Sequence, residues 1–400
     1  MQCTLRTNPG RRQIVNQAPT QTATSSKNAW PRRLHALDAS RGLAALTVVL
    51  WHWQHFFYTN TAPAVDFRRD SQPLYSALKL FYEQGKWGVE YFFILSGFIF
   101  FWIYHDAIKE RSIRAKEFFI HRFSRLYPLH AVSLCLVALL QLYHANLRGH
   151  PFTYPENDFY HFTLNLFFAS HWGLQKGWSF NAPSWSVSVE ILLYAAFFAI
   201  CAQKLGKPSL IYATSVGIFI LNFYIIHSDI LRGFSAFLVG GSTYYLARLI
   251  TDRLPELANP SIAACMVSWA IVITITYAPY QIYSSTPSII QESFPVYFLF
   301  PLTILSITII EVRGKLNAKK AAWLGTISYS SYLLHFPLQI IFALFAAAGL
   351  IPRGFQTSTI YLILFYAILI LLSRFTYNWL EMPSQRLIRD HLLPTSSQKA

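Results

Sequence analysis

Arg41 and His52 stand at the head of the first long apolar stretch, in Asp38-Ala39-Ser40-Arg41-Gly42 and Trp51-His52-Trp53. Eleven residues make about three helical turns, so the two side chains share a face and lie ~16 Å apart along the axis. A guanidinium at one end can hold an anion through paired donors. An imidazole, with an ordinary pKa of about 6.5, can take and return a proton near neutrality. An ionisable side chain sunk in a bilayer is costly, which marks His52 as a candidate functional residue; its plainer reading is a histidine hydrogen-bonded inside a helix bundle.

Three more ionisable groups fall inside apolar segments. They are Glu90 in Gly88-Val89-Glu90-Tyr91, Glu190 in Trp185-Ser186-Val187-Ser188-Val189-Glu190, and His335 in Tyr332-Leu333-Leu334-His335-Phe336-Pro337. Counted from the ends of their segments, all three are expected near the level of His52, Glu190 about 10 Å below the outer surface. A second group gathers at the opposite face: Arg41, then Arg122 and Arg125 one turn apart, then Arg374, Glu381 and Arg386. Charge alone allows two accounts of it, surface anchoring with a Glu381–Arg ion pair or a socket for an anionic cofactor. Arginines inside and a histidine deeper on the same helix suit a transfer across the membrane. Acyl-CoA fits that geometry as donor, since its phosphates are polyanionic and its thioester ends a flexible arm.

The elements that must position these groups are membrane helices. Of 400 residues, 54% are hydrophobic, 17% aromatic and 13% charged, against about 25% charged in soluble domains. An all-α integral membrane protein is expected, with about ten spans near 41–60, 88–106, 127–144, 183–203, 208–226, 230–250, 261–279, 291–311, 324–347 and 357–380. A short segment at 161–172 reads as a re-entrant or interfacial helix. Of the 33 Lys and Arg, 23 fall on one set of alternate loops and tails and eight on the other. Positive residues face the cytoplasm, so both termini are expected inside and the net charge of +15 is a topology signal, with no nucleic-acid partner implied. Residues 1–33, polar and free of Asp and Glu, read as a disordered cytoplasmic tail, 34–390 as one membrane domain and 391–400 as a short cytoplasmic tail. The four cysteines lack metal-ligand spacing, and no metal is expected. The outer loop 145–182 carries Tyr154, Tyr160, His161, His171, Trp172, Trp178 and Asn181, an interfacial aromatic belt or a surface on which sugars stack.

The chain resembles the acyltransferase-3 family of membrane O-acyltransferases. The matching stretches run in family order over about 35–390: Leu37-Asp38-Ala39-Ser40-Arg41-Gly42-Leu43, the spacing from Arg41 to His52, Gly88-Val89-Glu90 with Phe92-Phe93-Ile94-Leu95-Ser96-Gly97-Phe98, Arg122 with Arg125, Trp185 to Glu190, Ser328-Tyr329 with Tyr332, His335 and Pro337, and Glu381 with Pro383 and Arg386. The resemblance implies ten core spans and transfer of an acyl group, usually acetyl from acetyl-CoA, to a hydroxyl of an extracytoplasmic glycan. It makes His52 the catalytic histidine and Arg41, Arg122 and Arg125 donor-binding or architectural residues. Glu90 stands where the family usually has Asp, and Ala39 where it has Gly. The hydrolase-like domain fused to some members has no counterpart here, so acceptor handling of that kind would need a partner protein in trans.

On this footing His52 is expected to act as general base on the acceptor hydroxyl, with an acyl-histidine intermediate as the competing route. Glu190, or Glu90, would hold the ring in its useful tautomer; Ser328, Tyr329 or His335 would donate to the oxyanion. His55, one turn past His52, matches no family motif. The protein is then expected in the cytoplasmic membrane, modifying a cell-surface polysaccharide or glycolipid. The reading from another class is a polytopic secondary transporter built on buried His, Glu and Arg, although no inverted repeat is visible; a third is a catalytically dead scaffold.

Overall fold

A computed structural model describes residues 30–278 and 286–393. The stretch 1–29, which holds most of the expected N-terminal tail, and residues 394–400 of the C-terminal one lie outside the described residues. The chain is helical almost throughout; its sheet is one two-stranded ribbon pairing Tyr58 with Pro63. Apolar runs form helices because a bilayer offers no partner to a free N–H or C=O. Among the described residues, eight helices are long and apolar enough to cross a membrane. Two segments expected as spans do not meet that measure: α1, His35–His52, and α8, Asp229–Asp252. Both are long enough, but α1 carries Asp38, Arg41 and His52, and α8 carries Asp229, Arg232, Arg248 and Asp252.

Between and after these run α2 (Tyr75–Gln84), α3 (Gly88–Lys109), α4 (Ala115–Arg148), α5 (Phe159–Leu166), α6 (Trp185–Ala202), α7 (Pro208–Leu221). Then follow α9 (Ala258–Tyr277), α10 (Ser288–Val312), the short α11 (Trp323–Thr326), α12 (Ser328–Ala347) and α13 (Thr359–Leu392). Helix α4 starts twelve residues before the expected third span, so Arg122 and Arg125 sit within a helix and not in a loop before it. The segment 161–172 is shorter still as a helix: α5 is capped by Asp158, which accepts from the His161 N–H at 2.8 Å, and ends by Phe168 in the left-handed region. The packed chain begins inside the stretch expected as tail, with Trp30 donating to Thr251 and resting against Phe98, Trp102 and Tyr244.

Close backbone contacts set the frame. A Cβ on Gly97 of α3 would lie 1.9 Å from the Phe237 carbonyl of α8, and one on Gly240 of α8 would lie 1.9 Å from the Ile94 carbonyl of α3. Each helix thus presents a glycine to the other's backbone, the small-residue contact by which membrane helices gain dispersion energy. Another reciprocal pair joins α1 to α11: a Cβ on Gly42 would meet Leu324 at 2.5 Å, and one on Gly325 would meet the Asp38 carbonyl at 2.3 Å. The N-terminus of α1 is capped from α10, where Glu311 accepts from the His35 N–H at 2.6 Å and the Ala36 N–H at 2.9 Å. These contacts fix α1, and with it Arg41 and His52, against the rest of the bundle. Gly240→Ala is expected to lower the melting temperature in detergent by several degrees, an overpacking cost of about 1–3 kcal/mol. Gly217→Ala in α7, whose Cβ would meet nothing within 4 Å, is expected to leave it unchanged or raised. Equal behaviour of the two variants in a thermal-shift assay would contradict this packing account.

Candidate active site

Helix α12 strings the site together. Ser328, Tyr332, His335 and Gln339 recur at alternating spacings of four and three, one stripe along the helix, and all are buried. Pro337 interrupts the helix, and because proline has no N–H it leaves the Leu333 carbonyl without its helical donor. Asn181 supplies one, its Nδ2 donating to Leu333 O at 2.9 Å. Two residues on, the Pro183 carbonyl accepts from the Tyr332 hydroxyl, which also lies 2.8 Å from Ser186 Oγ. The start of α6 is therefore plugged into the middle of the bundle beside α12.

At one end of the stripe lies a cavity of ≈120 Å³, about ten times what one water molecule requires. Arg41, Arg122, Arg125 and Glu190 line it, and Tyr332 and Ser186 also form part of its wall. Arg41 is held by Ser328 Oγ at 3.1 Å, the Gly325 carbonyl at 2.7 Å and Asp38 at 3.2 Å. Arg122 donates to the Tyr104 hydroxyl and stacks over Phe100 and Tyr104, at 5.1 and 5.0 Å from the ring centres. Arg125 makes no hydrogen bond or ion pair among the described residues and sits in the field of Glu190, Glu381 and Asp38. Arg389 reaches the same region from α13, donating to Ser124 Oγ at 3.1 Å. Arg374 does not: it lines a shallow surface groove with Trp323, Ile370 and Leu371. Of the two accounts of this face, the Glu381–Arg ion pair is not formed among the described residues; Glu381 accepts from Ser330 Oγ.

At the other end, beyond Tyr332, three imidazoles cluster. The His52 ring lies 4.9 Å from those of His335 and His55. Their tautomers follow from their partners. His52 Nδ1 is 2.9 Å from the Val48 carbonyl and His335 Nδ1 is 2.7 Å from the Tyr332 carbonyl; a carbonyl only accepts, so each Nδ1 carries the proton and each Nε2 a lone pair. Gln339 completes the cluster. Its Nε2 donates to the His52 carbonyl at 2.8 Å, which turns its Oε1 toward His55 Nδ1 at 3.0 Å. His55 Nε2 is then an acceptor, and the Tyr154 hydroxyl donates to it at 3.3 Å. His335 Nε2 is buried and has no partner among the described residues.

Several expected roles are redistributed. Glu190 does not touch His52: it accepts from Tyr194 and from Ser96 Oγ at 3.2 Å, among the arginines. Its depth was counted from the outer surface, whereas its helix starts from Asn181–Pro183, already level with Tyr332 and Leu333. The Val48 carbonyl holds the His52 tautomer in place of any carboxylate. Glu90 is elsewhere, 2.8 Å from Arg232 of α8, whose guanidinium covers Trp185 at 5.0 Å. Each of the three expected oxyanion donors already gives its proton to a backbone carbonyl: Ser328 to Gly325 O, Tyr329 to Leu126 O and His335 Nδ1 to Tyr332 O. Sequence reasoning missed Gln339 and Arg232. The Asp229–Arg232 spacing at the head of an apolar segment was a usable signal, because a buried arginine there needs an acid and Glu90 lacked a partner.

One group among the described residues brings three metal-type side chains together, Glu156, Asp158 and His161. His161 cannot ligate there as it stands. Its Nε2 accepts from the Lys176 N–H at 3.1 Å and its Nδ1 donates to Asp158 at 2.8 Å, so neither nitrogen has a free lone pair.

Comparison with known proteins agrees with this architecture. Protein 2 in the picA locus of Rhizobium radiobacter is 35% identical over 108 residues, 27% of this chain and 46% of that protein. The peptidoglycan O-acetyltransferase OatA of Listeria monocytogenes is 25% identical over 284 residues, 63% of this chain and 44% of that protein. The chain thus spans less than half the length of either relative. No solved structure matches it. The acyltransferase-3 profile, described as an acyltransferase domain, covers residues 34–377, from the cap of α1 into α13, and takes in Arg41, Arg122, Arg125, Glu190 and the three imidazoles. That span is most of the protein, and with it the chain belongs to the acyltransferase-3 family.

Proposed function

We propose that the protein binds acyl-CoA, acetyl-CoA in the first instance, at the arginine end and transfers its acyl group to a hydroxyl of a carbohydrate on the opposite face. In this reading ten helices span the cytoplasmic membrane, α1 and α8 included, with both termini in the cytoplasm. The observation that carries it is the α12 stripe: Ser328 and Tyr332 line an arginine-lined cavity, and His335, one turn past Tyr332, packs on the His52 ring of α1. Arg41, Arg122 and Arg125 hold the donor's phosphates, as guanidinium forks suit, and its arm follows the cavity. His52 Nε2 takes the proton of the acceptor hydroxyl as that oxygen attacks the thioester carbonyl. The C–S bond breaks, and the departing thiolate of CoA takes the proton back from His52. His335 Nε2 offers a second acceptor beside it, which orients the incoming hydroxyl. Glu190 and Glu90 act on arginines and not on the imidazole, Glu190 by balancing the cavity's charge and Glu90 by pairing with Arg232.

His52→Ala is expected to cut acetyl transfer from labelled acetyl-CoA to glycan by at least ~100-fold, the scale of general-base catalysis, with the acetyl-CoA KM nearly unchanged. Wild-type rates in the purified variant would overturn the assignment. Arg125→Gln is expected to raise the acetyl-CoA KM about tenfold or more, with partial recovery in Arg125→Lys, since Arg125 has no ion pair of its own to lose. An unchanged KM would leave it an anchor. Tyr332→Phe keeps the ring and loses its bonds to Pro183 and Ser186. Its expected signature is faster hydrolysis of acetyl-CoA in the absence of acceptor, measured as free thiol; a rate equal to wild type would remove Tyr332 as the barrier between the two ends.

A further inference from the structure

Trp178 leaves 44% of its surface exposed, yet it stands on a tightly braced loop. The Glu156 N–H donates to its carbonyl at 3.3 Å, and the Phe180 N–H to Asn157 Oδ1 at 2.7 Å. Asn157 Nδ2 in turn holds the Tyr154 carbonyl at 2.7 Å. The indole contacts the His171 ring at 4.6 Å and the Tyr154 ring at 6.3 Å. From Tyr154 the line continues inward, its ring 5.5 Å from His55 and His55 4.9 Å from His52. A ring held outward by a rigid loop and bordered by the Tyr154 phenol combines an apolar face with a polar group at its margin. That combination matches a pyranose, whose C–H face meets the negative face of an aromatic ring while its hydroxyls seek acceptors.

Building on the carbohydrate acceptor of the preceding section, we propose that Trp178 and Tyr154 form a sugar subsite that seats a pyranose other than the one acylated. Trp178 is separated from His52 by Tyr154 and His55, so the sugar stacked on it lies at least one ring from the reacting hydroxyl. The enzyme therefore requires an oligosaccharide acceptor and reads a neighbouring unit. The Tyr154 hydroxyl, which donates to His55, keeps its oxygen free to accept from the sugar between the two ends.

The test uses the full chain in nanodiscs with labelled acetyl-CoA and two acceptor probes, N-acetylglucosamine and chitobiose. Wild type is expected to show a KM for chitobiose about tenfold below that for N-acetylglucosamine, one stacking contact of ~1.4 kcal/mol. Trp178→Ala is expected to erase that gap while leaving kcat, the acetyl-CoA KM and acceptor-free hydrolysis as in wild type; Trp178→Tyr is expected to restore most of it. A variant that raises neither KM would make Trp178 a belt residue and overturn the subsite. So would one that changes both probes equally or lowers kcat alone, as a loop defect does. Wild type that hydrolyses acetyl-CoA and labels neither sugar would also overturn it. Wild type that does neither would sink the acyl-transfer reading itself.

Discussion

Pro337 leaves the Leu333 carbonyl without a donor in the middle of an apolar helix, and the amide of Asn181 fills that place. An unsatisfied carbonyl at such depth costs several kcal/mol, so the proline obliges some other element to enter the bundle. The element that enters is the Asn181–Ser184 turn, and it brings Pro183 and Ser186 against Tyr332. Much of the site's layout follows. Helix α6 begins against Tyr332 and Leu333, which sends Glu190 toward the arginines and leaves the imidazoles with no carboxylate touching them among the described residues.

That segregation has an electrostatic logic. Cations and the carboxylates that balance them lie on the cavity side of Tyr332: Arg41 with Asp38, and Arg125 near Glu190 and Glu381. The imidazole side is arranged with neutral partners alone, two carbonyls and an amide. A carboxylate against His52 would favour a resident proton on the ring and so occupy its Nε2 lone pair. Carbonyl partners fix the tautomer without adding charge, and Gln339 extends the same device to His55 by serving as donor on one side and acceptor on the other.

Much of this was legible in the sequence, and the failures have particular causes. His52 and His335, on different helices, do meet, and Arg41, Arg122 and Arg125 do share a cavity. Residue type and distance along a helix are enough to place such groups when the helix starts at the bilayer surface. Spacing does not place Glu190, because the contact that seats the start of its helix on α12 joins Asn181 to the carbonyl freed by Pro337, and these are far apart in sequence. Depth alone sets Glu90 beside the histidines, whereas its partner Arg232 sits on α8 at the head of the expected 230–250 span, and depth does not say which base an acid will meet. The oxyanion donors failed for a local reason. Ser328, Tyr329 and His335 each find a backbone carbonyl within their own bundle, and hydrogen-bond direction is invisible to spacing.

The same constraint explains why two of the expected spans are less apolar than the rest. α1 and α8 each present glycines to a neighbouring backbone, Gly42 toward Leu324 and Gly240 toward Ile94. Close approach lets polar side chains on these helices find partners before they meet lipid: Arg41 reaches Gly325 and Ser328, and Arg232 reaches Glu90. A bulky residue at either glycine would part the helices and leave those guanidiniums unpaired in an apolar setting, where charge is least tolerable. Small residues at the contacts and charged residues along the same helices are thus one adaptation. A helix can carry chemistry into the membrane only where its neighbours come close enough to share the cost.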